Sequence, residues 1–224
     1  MKGVAANGEA KRLKFQPFER DKREFYTDPP SCAAALFEVQ PFTGAIFDPC
    51  AGMGNCARMA ERAGYEARAA DIDPDRERFF TGSDIRLDIA DFLKGNGEEA
   101  WADNIVMNPP YGSGPGGRRL EELFIERALV CADGKVAALL PLTWFVARKT
   151  WLEDRGLCRV WAVTPRPSML PGANGAAGEK PGGGMSDYAW FIFLKGFDGM
   201  PTLGHAVRDT TLDSSNNWTW RLGR

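Results

Sequence analysis

Ala45-Ile46-Phe47-Asp48-Pro49-Cys50-Ala51-Gly52-Met53-Gly54-Asn55 is the stretch that decides the fold of this chain. Its three apolar residues read as a short buried strand. Asp48 and Pro49 end that strand, because proline has no N–H to give to a ladder. Gly52 and Gly54 permit a tight turn and close approach of backbone to a ligand. Residues 56–63 then read as a helix stopped by Gly64. Strand, glycine turn and helix in this order make the junction at which open α/β sheets take their ligands.

The same rhythm recurs downstream. Ala67-Arg68-Ala69-Ala70-Asp71-Ile72-Asp73-Pro74 is a second strand ending in an acid, and Asp73 is placed to cap whatever follows Pro74. Leu87-Asp88-Ile89-Ala90-Asp91-Phe92-Leu93 puts another acid and an aromatic at a strand end. Asn104-Ile105-Val106-Met107 reads as a fully buried strand, and Asn108-Pro109-Pro110-Tyr111 stops it in a stiff turn. The Asn108 side-chain oxygen and the Pro109 carbonyl then form two fixed acceptors beside an aromatic ring, which suits a planar amino group. Further strands are expected at 136–140, 159–163 and 188–193. A helix over 118–132 has apolar residues at Leu120, Leu123, Phe124, Ala128 and Cys131. This alternation predicts a doubly wound, mostly parallel seven-stranded α/β sheet of Rossmann-like architecture.

Composition narrows the classes. At 224 residues, with 44% hydrophobic and 26% charged content, the chain is long enough for one large core. No apolar run approaches the ~20 residues that cross a bilayer, and residues 1–5 lack an apolar signal core, so no membrane partner and a cytoplasmic location are expected. Five cysteines without metal-ligand spacing read as reduced core thiols, with no metal site. The single histidine, His205, argues against a hydrolase that relies on a histidine base. Net charge is −2, so basic character is local, in an arm over residues 1–24 that carries Lys2, Lys11, Arg12, Lys14, Arg20, Lys22 and Arg23. Residues 25–196 are expected to form the main domain and 197–224 a C-terminal extension. Two glycine-rich stretches, 112–119 and 166–187, read as flexible loops. Arg118, Arg119, Arg166 and Lys180 are their candidate nucleic-acid contacts.

The four blocks around Asp48, Asp71, Asp91 and Asn108, in this order and spacing, resemble the S-adenosylmethionine-dependent amino-methyltransferases that modify the N6 position of adenine in DNA. The resemblance spans roughly residues 25–145, and the small size and the segments around Arg166 and Asp187 look like enzymes of phages and mobile elements. It implies an antiparallel last strand, S-adenosylmethionine as cofactor and a flipped adenine as substrate. Tyr26, Thr27, Asp48, Pro49, Cys50, Ala51, Gly52, Gly54 and Asn55 would surround the methionine part. Asp71 would take the ribose hydroxyls, Ile72 and Phe92 would sandwich the adenine ring, and Asp91 would accept from its amine. Asn108, Pro109, Pro110 and Tyr111 would form the catalytic corner, with Tyr111 stacked on the target base.

Other readings share some of these features. A dinucleotide oxidoreductase has no use for Asn-Pro-Pro-Tyr, and its third glycine is Ala57 here. A 5-methylcytosine enzyme needs a nucleophilic Pro-Cys, and Pro49-Cys50 sits in the glycine turn instead. Enzymes acting on RNA adenine or on a protein glutamine amide use the same tetrapeptide or a near variant. A non-catalytic relative would be expected to lose Asn108 or the glycines, and this chain keeps both.

Overall fold

Lys135–Pro141 shows why the sheet forms where it does: its five central residues, Val136 to Leu140, are apolar and fully buried, so both faces of this strand must be covered. The computed structural model describes residues 26–94, 102–171 and 186–213, which places the basic arm outside the described residues. In chain order the strands are β1 (Tyr26–Thr27), β2 (Ile46–Asp48), β3 (Ala67–Asp71), β4 (Leu87–Ile89), β5 (Asn104–Met107), β6 (Lys135–Pro141), β7 (Leu157–Thr164), β8 (Leu170–Pro171), β9 (Tyr188–Leu194) and β10 (Thr202–Val207). The helices are α1 (Pro30–Val39), α2 (Asn55–Arg62), α3 (Leu120–Cys131), α4 (Thr143–Ala147) and α5 (Lys149–Glu153).

Eight strands form the main sheet in the order β10-β7-β9-β6-β5-β2-β3-β4. All neighbours are parallel except β9, which lies antiparallel between β6 and β7. The doubly wound class and the antiparallel run of residues 188–193 therefore hold. The sheet has eight strands rather than seven, because β10 adds a parallel edge strand inside the segment read as an extension. The signal for β10 is weakened by Gly204, whose missing side chain makes room for the Trp161 ring; a Cβ there would stand 2.2 Å from it. A separate antiparallel ribbon pairs Thr27 with Leu170 and Tyr26 with Pro171.

The core has two layers, set by alternation along the strands. Ile105, Met107, Ala138, Leu140, Phe191 and Phe193 point toward α3, α4 and α5, where they meet Phe124, Ile125, Trp144 and Leu152. Val106, Ala137, Leu139, Trp190 and Ile192 point the other way, onto Leu36 of α1 and Met59 of α2. From β2 the chain winds outward through β3 and β4, then returns to β5 on the opposite side of β2. Strand order thus reverses between β2 and β5, and a crevice opens at their carboxyl ends. Among the described residues no helix is long and apolar enough to cross a membrane, and all five cysteines are unpaired.

Candidate active site

That crevice is a cavity of about 760 Å³, within the range of small-molecule sites. Because β2, β3, β4 and β5 are parallel, Asp48, Asp71, Asp91 and Asn108 all emerge at one edge, and all four line the cavity. Thr27, Pro49, Cys50, Ala51, Gly52, Asn55, Ile72, Phe92 and Pro110 complete much of the wall. Gly54 stands just behind it as the residue before α2, at φ +82°, where a Cβ would meet the Phe80 ring at 2.7 Å. The backbone of Tyr26 pairs with Pro171.

The glycine turn is held from several sides. Gly52 N–H donates to Asp71 Oδ2 (2.8 Å), and Asp73 N–H donates to Asp71 Oδ1 (2.9 Å). Arg58 donates to the carbonyls of Met53 and Phe79 and lies over the Phe80 ring. Asp73 caps the 3-10 turn Pro74–Phe79 by accepting from Asp75 N–H. Asp91 accepts from Leu93 N–H (3.1 Å) and pairs with the exposed Lys94. Ile72 is 64% exposed, an apolar side chain on the cavity wall, while Phe92 is buried among Phe47 and Phe124.

Asn108 follows the last residue of β5, and its amide is spoken for at both ends. Its Nδ2 donates to Asp28 Oδ1 (3.2 Å), and its Oδ1 accepts from the Tyr111 hydroxyl (2.8 Å). The same hydroxyl lies 2.7 Å from the Leu139 carbonyl. One O–H has one proton, so Tyr111 can satisfy itself on Leu139 and leave Asn108 Oδ1 free for another donor. Tyr111 packs against the α3 side of the core rather than standing across the cavity, a departure from its expected place over a bound ring. The physical reason is that its hydroxyl finds two acceptors inside the fold. The Cys50 thiol donates to the Asn108 carbonyl (3.4 Å), joining the glycine turn to the corner.

Asp28 is the residue that sequence reasoning missed. It lies in the cavity wall directly before Pro29 and Pro30, and its backbone carbonyl accepts from Asn55 Nδ2 (2.7 Å). It is 6% exposed, and its Oδ2 has no partner among the described residues. Burial raises its carboxyl to about 6 from the ordinary 3.8, against the lowering hydrogen bond from Asn108. Burial likewise pushes Asp48 well above the usual carboxylate range. A signal was available: Asp28-Pro29-Pro30 is an acid in the same rigid double-proline setting as Asn108.

This raised acid has a consequence for stability. Its folded value lies above its unfolded value, so the folded state binds the extra proton between about pH 4 and 6 and loses stability as pH rises through that window. Asp28→Asn removes this dependence. The stability difference between variant and parent is expected to move in the variant's favour by about 2 kcal/mol from pH 4 to pH 7, read from urea melts across that range.

The residues singled out for nucleic acid are all paired where they are described. Arg118 meets Glu126 (2.8 Å), Arg119 meets Glu121, and Arg166 meets Asp187 (2.7 Å). None of the three lines the cavity. Lys180 lies outside the described residues, as does most of the second glycine-rich loop. The first loop closes on itself through Gly114 N–H to the Arg118 carbonyl and Leu120 N–H to the Gly112 carbonyl, with Glu121 accepting from Gly112 N–H.

No protein-family model matches the sequence, and neither does any curated protein. Solved structures do match. One is a type I restriction-enzyme modification subunit, provisionally assigned, from Vibrio vulnificus: 15% identity over 80% of this chain and 45% of that one, TM-score 0.54. A second is a provisionally assigned RNA methyltransferase from Pyrococcus horikoshii: 17% identity over 81% of this chain and 93% of that one, TM-score 0.58. A third is a provisionally assigned class I S-adenosylmethionine-dependent methyltransferase from Listeria monocytogenes: 16% identity, 83% and 68% coverage, TM-score 0.54. This chain spans less than half of the Vibrio subunit. The architecture is the class I methyltransferase fold.

Proposed function

We propose that this chain transfers a methyl group from S-adenosylmethionine to the exocyclic amine of adenine in DNA. The observation that carries the reading is the position of Asn108, in the wall of the cavity that Asp48, Asp71 and Asp91 also line.

The residues present fit such a cofactor. The buried acid Asp48 faces the cavity, and its carboxylate suits a cationic ammonium. The backbone around Ala51 and Gly52, at the start of α2, would receive the methionine carboxylate with the help of the helix dipole. Asp71 would take ribose hydroxyls, exposed Ile72 would cover one face of the adenine, and Asp91 would accept from its amine. When bound, S-adenosylmethionine supplies a methyl group activated by a sulfonium.

The protein's part in the reaction is positional and electrostatic. An aromatic amine is a poor nucleophile because its lone pair is shared with the ring. Asn108 Oδ1 and the Pro109 carbonyl would accept its two hydrogens, favouring a more tetrahedral nitrogen whose lone pair is free. Tyr111 would yield Oδ1 to the incoming amine by turning its proton to Leu139. A paired base cannot reach this crevice, so the target must leave its stack at a cost of a few kcal/mol. Pro110 offers apolar surface in the wall that receives it.

The test is incubation of the protein with tritiated cofactor and, separately, duplex DNA, RNA and protein, followed by nucleoside analysis. Label recovered as N6-methyladenosine from RNA, or as methylglutamine from protein, would move the acceptor to those classes. Label in deoxyadenosine is the expected outcome.

A further inference from the structure

We propose that Asp28 is a positioning residue for Asn108: its ionised carboxylate fixes which end of the Asn108 amide faces the substrate. The proposal rests on Asn108 being the amine acceptor, and it concerns how that acceptor is kept in the right orientation.

A primary amide has nearly the same shape when its oxygen and nitrogen exchange places, so packing alone does not choose between the two orientations. At Asn108 the choice matters. With Oδ1 toward the substrate the residue accepts from an amine; with Nδ2 there it repels one. Among the described residues two groups hydrogen-bond the amide. The Tyr111 hydroxyl both donates and accepts, so it serves either orientation, because its proton can go to Leu139 when Nδ2 faces it. Asp28 Oδ1, 3.2 Å from Nδ2, is different. An ionised carboxylate has no proton to give, so only the NH2 end can face it. A protonated carboxyl can donate to Oδ1, and the wrong orientation then costs nothing. The same contact also polarises the amide, since donation to an anion leaves Oδ1 richer in charge and a better acceptor.

The surroundings of Asp28 let it act as an anion on demand rather than always. From the C-terminal segment, Arg208 favours the charge and Asp213 opposes it, and Arg208 is already bonded to Ser31, the Pro165 carbonyl and Asp213. Asp48 at the end of β2 adds a second buried acid nearby, α1 contributes the Cys32 thiol, α2 contributes the neutral Asn55 and the Cys56 thiol, and the turn after β5 contributes Tyr111. Burial dominates, so the carboxyl changes charge near pH 6. Below that value the orientation of Asn108 is released; above it the amide is locked.

The experiment uses two readouts. In cofactor-free protein, the side-chain amide signals of Asn108 are followed by nitrogen-15 NMR and assigned by their loss in Asn108→Ala. They are expected to shift through an apparent value near 6 in the parent and to stay flat in Asp28→Asn. In single turnover on DNA at saturating cofactor, Asp28→Asn is expected to slow transfer by about tenfold or more at pH 8 and to lose the rise through pH 6, with cofactor affinity within about threefold of the parent. A parental rate in Asp28→Asn, or amide signals that ignore pH between 5 and 7, would overturn the proposal. So would a variant that loses cofactor affinity while keeping the parental rate at saturation, since Asp28 would then belong to the cofactor. If Asn108→Ala itself transfers methyl normally, the acceptor reading fails, whereas the NMR titration still reports the Asp28–Asn108 contact by itself. Should Asp28→Asn not fold, the titration of the parent alone decides.

Discussion

Asn108→Ala is expected to lower methyl transfer by about 10²–10³-fold while cofactor affinity stays within about threefold, because it removes a preorganised acceptor from the reacting amine and leaves the cofactor wall intact. The fold should tolerate the change. Tyr111 keeps the Leu139 carbonyl as acceptor at 2.7 Å, so no hydroxyl is stranded. Pro109 and Pro110 keep the turn stiff without help from the side chain. Asp28 loses the Asn108 Nδ2 donor, and its response is to hold its proton more tightly, since that hydrogen bond is the largest of the influences that lower it. Calorimetric binding of cofactor and single-turnover transfer to DNA measure the two quantities separately. A variant that transfers at the parental rate removes Asn108 from the reaction. A variant that loses both binding and transfer makes it a structural residue of the cavity.

The parts of this site legible in sequence are those whose signals are local. Asp48, Asp71 and Asp91 each close a short, largely apolar run, so strand, edge and acid are read within a few positions. Parallel strands then carry all three to the same edge without further information. The parts that were not legible depend on distant partners. Asp28 acquires its role from Asn108, 80 residues away, and from Arg208 and Asp213 beyond the last strand expected. Strand β10 carries a glycine that counts against a strand locally and makes sense only under the Trp161 ring. The Thr27–Leu170 pairing joins segments with no strand pattern of their own. Arg118 and Arg119 read as free cations on a glycine-rich loop, yet the acids that pair them, Glu126 and Glu121, lie on the helix that follows. Charge at a loop can be counted from sequence, but its neutralisation by a helix face needs the packed structure.

The glycine turn and the strand end beside it behave as one unit, and Asp71→Ala tests that directly. Both oxygens of Asp71 receive buried backbone N–H groups, from Gly52 at 2.8 Å and Asp73 at 2.9 Å. Alanine would strand both donors. At about 1–3 kcal/mol for each buried donor left unpaired, the loss in stability is expected to be about 2–6 kcal/mol, visible as an earlier urea midpoint. The same substitution removes the acceptor proposed for the ribose hydroxyls and frees the Gly52 amide from its fixed direction. Cofactor affinity is therefore expected to fall about a hundredfold, equivalent to about 2.7 kcal/mol. Asp71→Asn separates the two effects, since it keeps one oxygen for a backbone donor but sets an NH2 group against the other. It should recover part of the stability and less of the affinity. Unchanged cofactor binding in Asp71→Ala, measured by calorimetry on the folded fraction, would take Asp71 out of the ribose site. An unchanged urea midpoint would mean that Arg58, through its bonds to the Met53 and Phe79 carbonyls, holds the turn without it.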